Sequence, residues 1–244
     1  MKLKVLASGS SGNCYLLYNK EEVLIIEAGI SFSRIQKSLD YDFSKVVGCL
    51  VSHEHMDHAK AVNKLLDNAV DVYSSKGTLG ALELENKHRQ HILEKKKLYK
   101  LGNFEVVAFD TQHDCKEPLG FMVRHKDMGT MLFITDSYYI KYKFREVDHI
   151  LVEANYSEHI LKRNEVQGIV NSYVAKRIRK SHFEISDVVE FLQASDLSDT
   201  KNIVLLHLSS DNSKEDFKDI VENKVGIPTF IARPELEIPL LKGE

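Results

Sequence analysis

The chain has 244 residues, 43 % of them hydrophobic and 28 % charged, with a formal net charge of -3. That length supports one large core, so residues 1–244 are expected to form a single domain. The balance lacks the basic footprint that binding long nucleic acids by charge alone requires. No apolar run approaches the roughly 20 residues that span a bilayer, and Met1–Leu6 turns polar too early for a secretory signal. Three widely spaced cysteines, Cys14, Cys49 and Cys115, do not suggest a disulfide framework. A reduced, cytoplasmic protein without a membrane partner is expected.

In chain order, Lys2–Ala7, Tyr15–Tyr18 and Val23–Ile26 read as short strands from their apolar and β-branched content. The intervening Ser8-Gly9-Ser10-Ser11-Gly12-Asn13 tempts a phosphate-loop reading, but no Gly-Lys-Ser/Thr ending follows and turn chemistry accounts for it better. A helix over about Ser33–Leu39 leads to the apolar run Val46–Val51, and Ala59–Leu66 has helical spacing. Strands are expected at Val70–Tyr73, Phe104–Phe109, Leu119–Arg124, Thr130–Ile134, Ile150–Glu153 and Ile203–Leu206. Helices are expected near Val166–Ile178, Ile185–Gln193 and Lys214–Asn223. The basic stretch Lys87–Lys97 reads as the solvated face of a helix. Strands interleaved with helices predict an α/β layer architecture: two sheets covered by helices on their outer faces.

The most informative segment is His53-Glu54-His55-Met56-Asp57-His58, directly after the run that ends at Val51. Imidazole suits zinc and its neighbours, and a carboxylate allows a second, harder site beside the first. Four further residues stand where strands end: His113, Asp136, Glu153 and His207. Singly each is an ordinary turn residue; together they converge on one sheet rim, where sites in layered α/β folds lie.

His-x-His-x-Asp-His followed by a later His, Asp and His resembles the metallo-β-lactamase superfamily over essentially the whole chain. The resemblance implies an αββα sandwich of two mixed β-sheets with two divalent ions, zinc or alternatively manganese, at its rim. His53, His55 and His113 would hold one ion; Asp57, His58 and His207 the other; Asp136 would bridge them. The family commonly has Asp after the third strand, where this chain has Glu27, expected to support a ligand or a loop amide. Leu151-Val152-Glu153-Ala154-Asn155 and Lys180-Ser181-His182-Phe183 resemble the nuclease branch typified by tRNase Z, implying that Glu153 orients a catalytic His182. Asp57 could accept a proton as well as bind metal.

The stretch 113–136 has room for a turn and two strands but no tRNA-gripping arm, so tRNA 3′-processing is not expected. Two substrates remain open. The compact, acidic chain resembles the phage anti-Pycsar phosphodiesterases, which implies hydrolysis of cyclic mononucleotides such as cyclic CMP and cyclic UMP as counter-defence in a host cytoplasm. Tyr138, Tyr139 and Tyr156 would then wall a base pocket or simply pack at a rim. The alternative is a DNA or RNA exonuclease of the bacterial branch that shares the Ala7–Asn13 start and the Leu206-His207-Leu208-Ser209 ending. Non-phosphate hydrolysis is a more distant alternative. The resemblance further implies a homodimer.

Overall fold

The computed structural model describes residues 1–214 and 216–242. β1 (Lys2–Ala7), β2 (Cys14–Tyr18) and β3 (Val23–Ile26) form an antiparallel meander, with Leu3 opposite Leu17 and Leu17 opposite Leu24. After α1 (Phe32–Ser38) the chain returns as β4 (Val46–Leu50), parallel to β3. Two short helices, α2 (Met56–Ala59) and α3 (Val62–Asp67), lead to β5 (Val72–Ser74), and α4 (Lys76–Ala81) leads to β6 (Gln90–Ile92).

The second sheet begins antiparallel with β7 (Leu98–Leu101), β8 (Phe104–Asp110), β9 (Leu119–His125) and β10 (Gly129–Ile134). It continues parallel through β11 (His149–Glu153), reached without a helix. After α5 (Glu158–Val166), α6 (Ser172–Ser181) and α7 (Ile185–Ala194) come β12 (Asn202–Leu206), α8 (Phe217–Val225) and β13 (Thr229–Ile231). β14 (Glu237–Pro239) crosses back to pair with β1. Among the described residues the strands form two seven-stranded mixed sheets, β14-β1-β2-β3-β4-β5-β6 and β13-β12-β11-β10-β9-β8-β7, with helices outside: the expected α/β sandwich.

The period-two alternation of the strands explains the layers. Leu3, Val5, Tyr15, Leu17, Leu24 and Ile26 face inward against Phe104, Phe121, Val123, Phe133, Leu151 and Val204 of the other sheet. Their alternates Leu16, Ile25 and Cys49 pack outward against Ile35 of α1 and Val62, Leu65 and Leu66 of α3. On the far side Ile150, Val152, Ile203 and Leu205 meet Val188 and Leu192 of α7 and Phe217 and Val221 of α8. Each fully buried aliphatic or aromatic side chain contributes about 1.5–3 kcal/mol, so these three layers dominate stability.

Parallel pairing fixes the rim. β3 and β4 align Ile26 with Leu50, while β10, β11 and β12 align Ile134 with Val152 and Val152 with Leu205. The residues just past these ends, Glu27, Ser52–His58, Asp136, Glu153 and His207, therefore emerge together. β8 runs in the same sense as β10, because both are antiparallel to β9, so His113 joins them.

Several expected elements differ. The helix over Ala59–Leu66 is two pieces broken at Lys60–Ala61, where Ala61 N donates to Ala28 O (2.8 Å) and ties the turn to the end of β3. The helix over Val166–Ile178 is instead the end of α5 and most of α6. Gly168, at a left-handed φ of 72°, breaks it, and Asn171 caps α6 by accepting from Val174 N. Lys87–Lys97 is not a helix but a 3₁₀ turn, β6 and a second turn, with Arg89 and His91 beside Asp71, Lys95 beside Glu117 and Lys97 beside Glu94. The helix at Lys214–Asn223 is α8, beginning at Phe217; Glu215 lies outside the described residues, as do Gly243 and Glu244. All three cysteines are free thiols.

Candidate metal centre

The Val46–Val51 run enters the rim and Ser52 turns it outward. Glu27, fully buried after β3, accepts from Ser52 N (3.2 Å to Oε1) and lies 3.4 Å from His58 Nδ1 through Oε2. The longer side chain thus reaches both the loop amide and a ring. His55 ends in extended geometry as the N-cap of α2, which carries Asp57 and His58 on one turn. The Ser8–Asn13 loop braces this turn from beneath: Asn13 N donates to Asp57 O (2.8 Å), Gly29 N to Asn13 O (2.8 Å) and Ala28 N to His58 O (2.8 Å).

Two groups of donors meet here. His53 Nε2 and His113 Nε2 lie 3.1 and 3.2 Å from His55 Nδ1. His58 Nε2 and His207 Nε2 lie 3.4 and 3.3 Å from Asp57 Oδ2. Asp136 stands between them and divides its oxygens: Oδ2 lies 3.9 and 3.6 Å from His53 and His113, Oδ1 3.4 and 3.7 Å from His58 Nε2 and His207 Nδ1. Every residue expected as a ligand is therefore in the cluster.

The donor set fits divalent cations. His113 Nδ1 donates to Ser181 O (2.8 Å), so its Nε2 presents a lone pair to the cluster. His207 Nδ1 faces Glu153 Oε1 (3.2 Å), and His58 Nδ1, buried without a hydrogen bond, faces Glu27. Outer nitrogens point at acceptors and inner nitrogens at a shared space, an arrangement that leaves several lone pairs facing one another unless a cation lies among them. Burial opposes charge on His58 and His207, yet Asp136 raises both, with Glu27 helping at His58; His207 is pushed up to about 10. Burial and the neighbouring His58 hold His53 well below the ordinary histidine value. Burial would raise Asp136, but His207 and His58 hold it well below the usual carboxylate range.

Glu153 sits fully buried beside this cluster. Its Oε2 accepts from Ser137 N (3.0 Å) and Phe183 N (3.2 Å), and its Oε1 from His182 Nδ1 (2.7 Å). With its oxygens so occupied it serves as a hydrogen-bonding hub, even though its position would also allow a third donor group with Asp136, His182 and His207. Burial works against charge on His182, but Glu153 outweighs it and raises the imidazole pKa. The Nε2 side of His182 is left for the adjoining cavity, about 280 Å³, which His182 lines.

Glu27, Asp136 and His207 all have left-handed backbones, with φ of 64°, 41° and 50°. For residues other than glycine this is strained, of order 1–3 kcal/mol each, and such strain clusters at functional sites. Asp136 is further held by Thr135 Oγ1, which donates to its Oδ1 (2.7 Å), and His207 by Asn155 Nδ2, which donates to its carbonyl (2.8 Å).

The cavity also brings in Ser10, Val174, Arg177 and Ile178, which sequence reasoning did not single out. Ser10 belongs to a loop assigned to turn chemistry alone, and Arg177 looks like any surface cation on an amphipathic helix. Conversely, none of the three tyrosines lines this cavity. Tyr156 is buried against Leu161, Val170 and Ala175, while Tyr138 and Tyr139 are exposed.

A profile described as the beta-lactamase superfamily domain matches residues 24–208. Exodeoxyribonuclease WalJ of Streptococcus pneumoniae is 27 % identical over 226 residues, covering 87 % of this chain and 83 % of its own. Exodeoxyribonuclease YycJ of Bacillus anthracis is 28 % identical over 230 residues, covering 88 % and 85 %. Among solved structures, the metallo-beta-lactamase fold protein YhfI from Bacillus subtilis superposes with a TM-score of 0.74 at 14 % identity, covering 98 % of this chain and 99 % of that one. Human tRNase Z, short form, gives a TM-score of 0.66 at 14 % identity over 98 % and 99 % of the two chains. A diphosphatase from the PhnP family gives 0.69 at 13 % identity over 99 % of each. These structural likenesses show the fold. With the rim cluster and the profile match, they lead to one conclusion: the chain belongs to the beta-lactamase superfamily.

Proposed function

We propose that this protein is a metal-dependent exodeoxyribonuclease. Its site belongs to a metallo-hydrolase of the phosphodiesterase and nuclease type. The observation that carries the reading is the junction at Asp136, where two donor groups share one carboxylate beside the Glu153–His182 pair. His53, His55 and His113 would hold one divalent ion and Asp57, His58 and His207 a second, with Asp136 shared. The imidazole-rich donor set suits zinc, and manganese is the alternative. When bound, the ions supply a water activated near neutral pH and positive charge for the phosphate oxygens.

The chain's own residues do the rest. Glu153 accepts the Nδ1 proton of His182 and favours the imidazolium, which carries its second proton on Nε2, facing the cavity. As water adds to phosphorus and gives up its proton to Asp57, the bond to the departing sugar oxygen breaks and the Nε2 proton of His182 passes to the leaving oxygen. Glu27 holds the His58 ring and the Ser52 amide in register.

The choice of DNA rests on the names of the relatives, 27–28 % identical over nearly the whole chain. The names favour an exonuclease over a cyclic-mononucleotide phosphodiesterase of phage origin, the first expectation from the sequence. The narrow cavity is the observation that keeps that reading in the test; the absence of the three tyrosines from its walls counts against it. The experiment incubates metal-replete protein with end-labelled DNA, RNA, cyclic CMP and cyclic UMP, with Asp136→Ala as control. Stepwise shortening of DNA that Asp136→Ala abolishes supports the proposal. Rapid loss of cyclic nucleotides with DNA intact would replace it.

A further inference from the structure

α6 carries a feature that holding metal ions does not require. Tyr173, Arg177 and Lys180 recur at i, i+4 and i+7, so they form one stripe about 10 Å long on the helix surface. All three are exposed, Tyr173 by 81 %. The stripe runs past the cavity: Val174, Arg177 and Ile178 line it with His182. Arg177 is aimed by Asp114, the neighbour of His113, through a bond from Nε to Oδ2 (3.1 Å). Among the described residues its two Nη groups have no hydrogen-bond partner, so they are available to an anion. Arg179, one position from the stripe, is by contrast engaged through Nε and Nη2 by Glu158 and Glu165.

We propose that this stripe is the track for a single-stranded polynucleotide, with Arg177 binding the phosphate next to the scissile one and Tyr173 stacking on an unpaired base. The inference rests on the nuclease reading and deepens it by naming the substrate as a strand end. A cavity of about 280 Å³ is at the small end of ligand pockets and admits about one nucleotide, so a duplex must open before its end can enter. Aromatic stacking and alternating cations are how proteins hold unpaired strands without reading sequence. The charge sign agrees: the stripe is cationic on a chain whose net charge is -3.

The test measures binding and cleavage separately. Fluorescence anisotropy with a labelled oligothymidylate follows wild type, Arg177→Ala, Lys180→Ala and Tyr173→Ala. Arg177→Ala should weaken binding about tenfold or more and lower the slope of log K against log salt by about 0.7. Tyr173→Ala should weaken it about fivefold or more with little change in the salt slope. In cleavage, Arg177→Ala should lower the ratio of kcat/KM for the oligonucleotide to that for bis(4-nitrophenyl) phosphate, which has no second phosphate, mainly through KM.

Unchanged binding in Arg177→Ala overturns the track, as does a duplex that binds as tightly and as sensitively as the single strand. If light scattering shows a dimer that Tyr173→Glu dissociates, the stripe belongs to a second copy and the proposal falls. A wild type that cleaves no polynucleotide overturns the nuclease reading, while the anisotropy series still judges the track.

Discussion

Asp136 illustrates how much one side chain is asked to do. Its two oxygens face different donor groups, its φ is left-handed and it is almost fully buried. Asp136→Ala is expected to lose both bound metal and turnover, read by elemental analysis and cleavage together. Glu27→Ala should lower metal affinity by about 10–100-fold while the fold persists, measured by chelator competition. His182 tests the proton transfer. Its alanine variant should lose about 10²–10⁴ in kcat on DNA, but far less on a 4-nitrophenyl ester whose leaving group needs no proton. The sign of the pH effect follows from the raised pKa. His182 must be protonated to act, so activity should fall as pH rises through that pKa, and Glu153→Gln should move this alkaline limb to lower pH. A limb that does not move with Glu153→Gln would remove His182 from the role.

At the level of elements, the site depends on close approach of the β3–α1 turn to α2. Gly29 has no room for a side chain, since a Cβ there would collide with the Asp57 carbonyl. Gly29→Ala is therefore expected to push the ligand turn away, lowering metal content and thermal stability together. Retention of both would show that the turn is softer than its hydrogen bonds suggest. The same elements show what a sequence can display. The candidate ligands at 53–58 are legible because they crowd one turn after a buried run, and Asp136, Glu153 and His207 because each ends an apolar strand. Arg177 is not legible: its nearness to Asp114 arises only from how α6 packs across the rim. The split of Val166–Ile178 into α5 and α6 was hidden by continuous helical spacing, and three-residue strands such as β13 and β14 are too short to show a period.

Across the whole molecule, each sheet has antiparallel strands on one side and parallel strands on the other, and the cluster lies at the rim where the two sheets face each other. The first half of the chain supplies His53 to His58, the second Asp136, Glu153 and His207. The site is thus only as well formed as the interface between sheets. Phe133, fully buried there against Tyr15 and Phe121, is a direct probe of that dependence. Phe133→Ala should cost about 3–5 kcal/mol in denaturant unfolding, and metal affinity should weaken with it. Among the described residues no helix is long and apolar enough to cross a membrane.

The two donor groups that share Asp136 are proposed to hold two ions. Anomalous diffraction from crystals grown with zinc, and separately with manganese, tests this most directly. Two peaks about 3.5–4 Å apart, on either side of the Asp136 carboxylate, are predicted. A single peak, or peaks away from Asp136, would contradict the account.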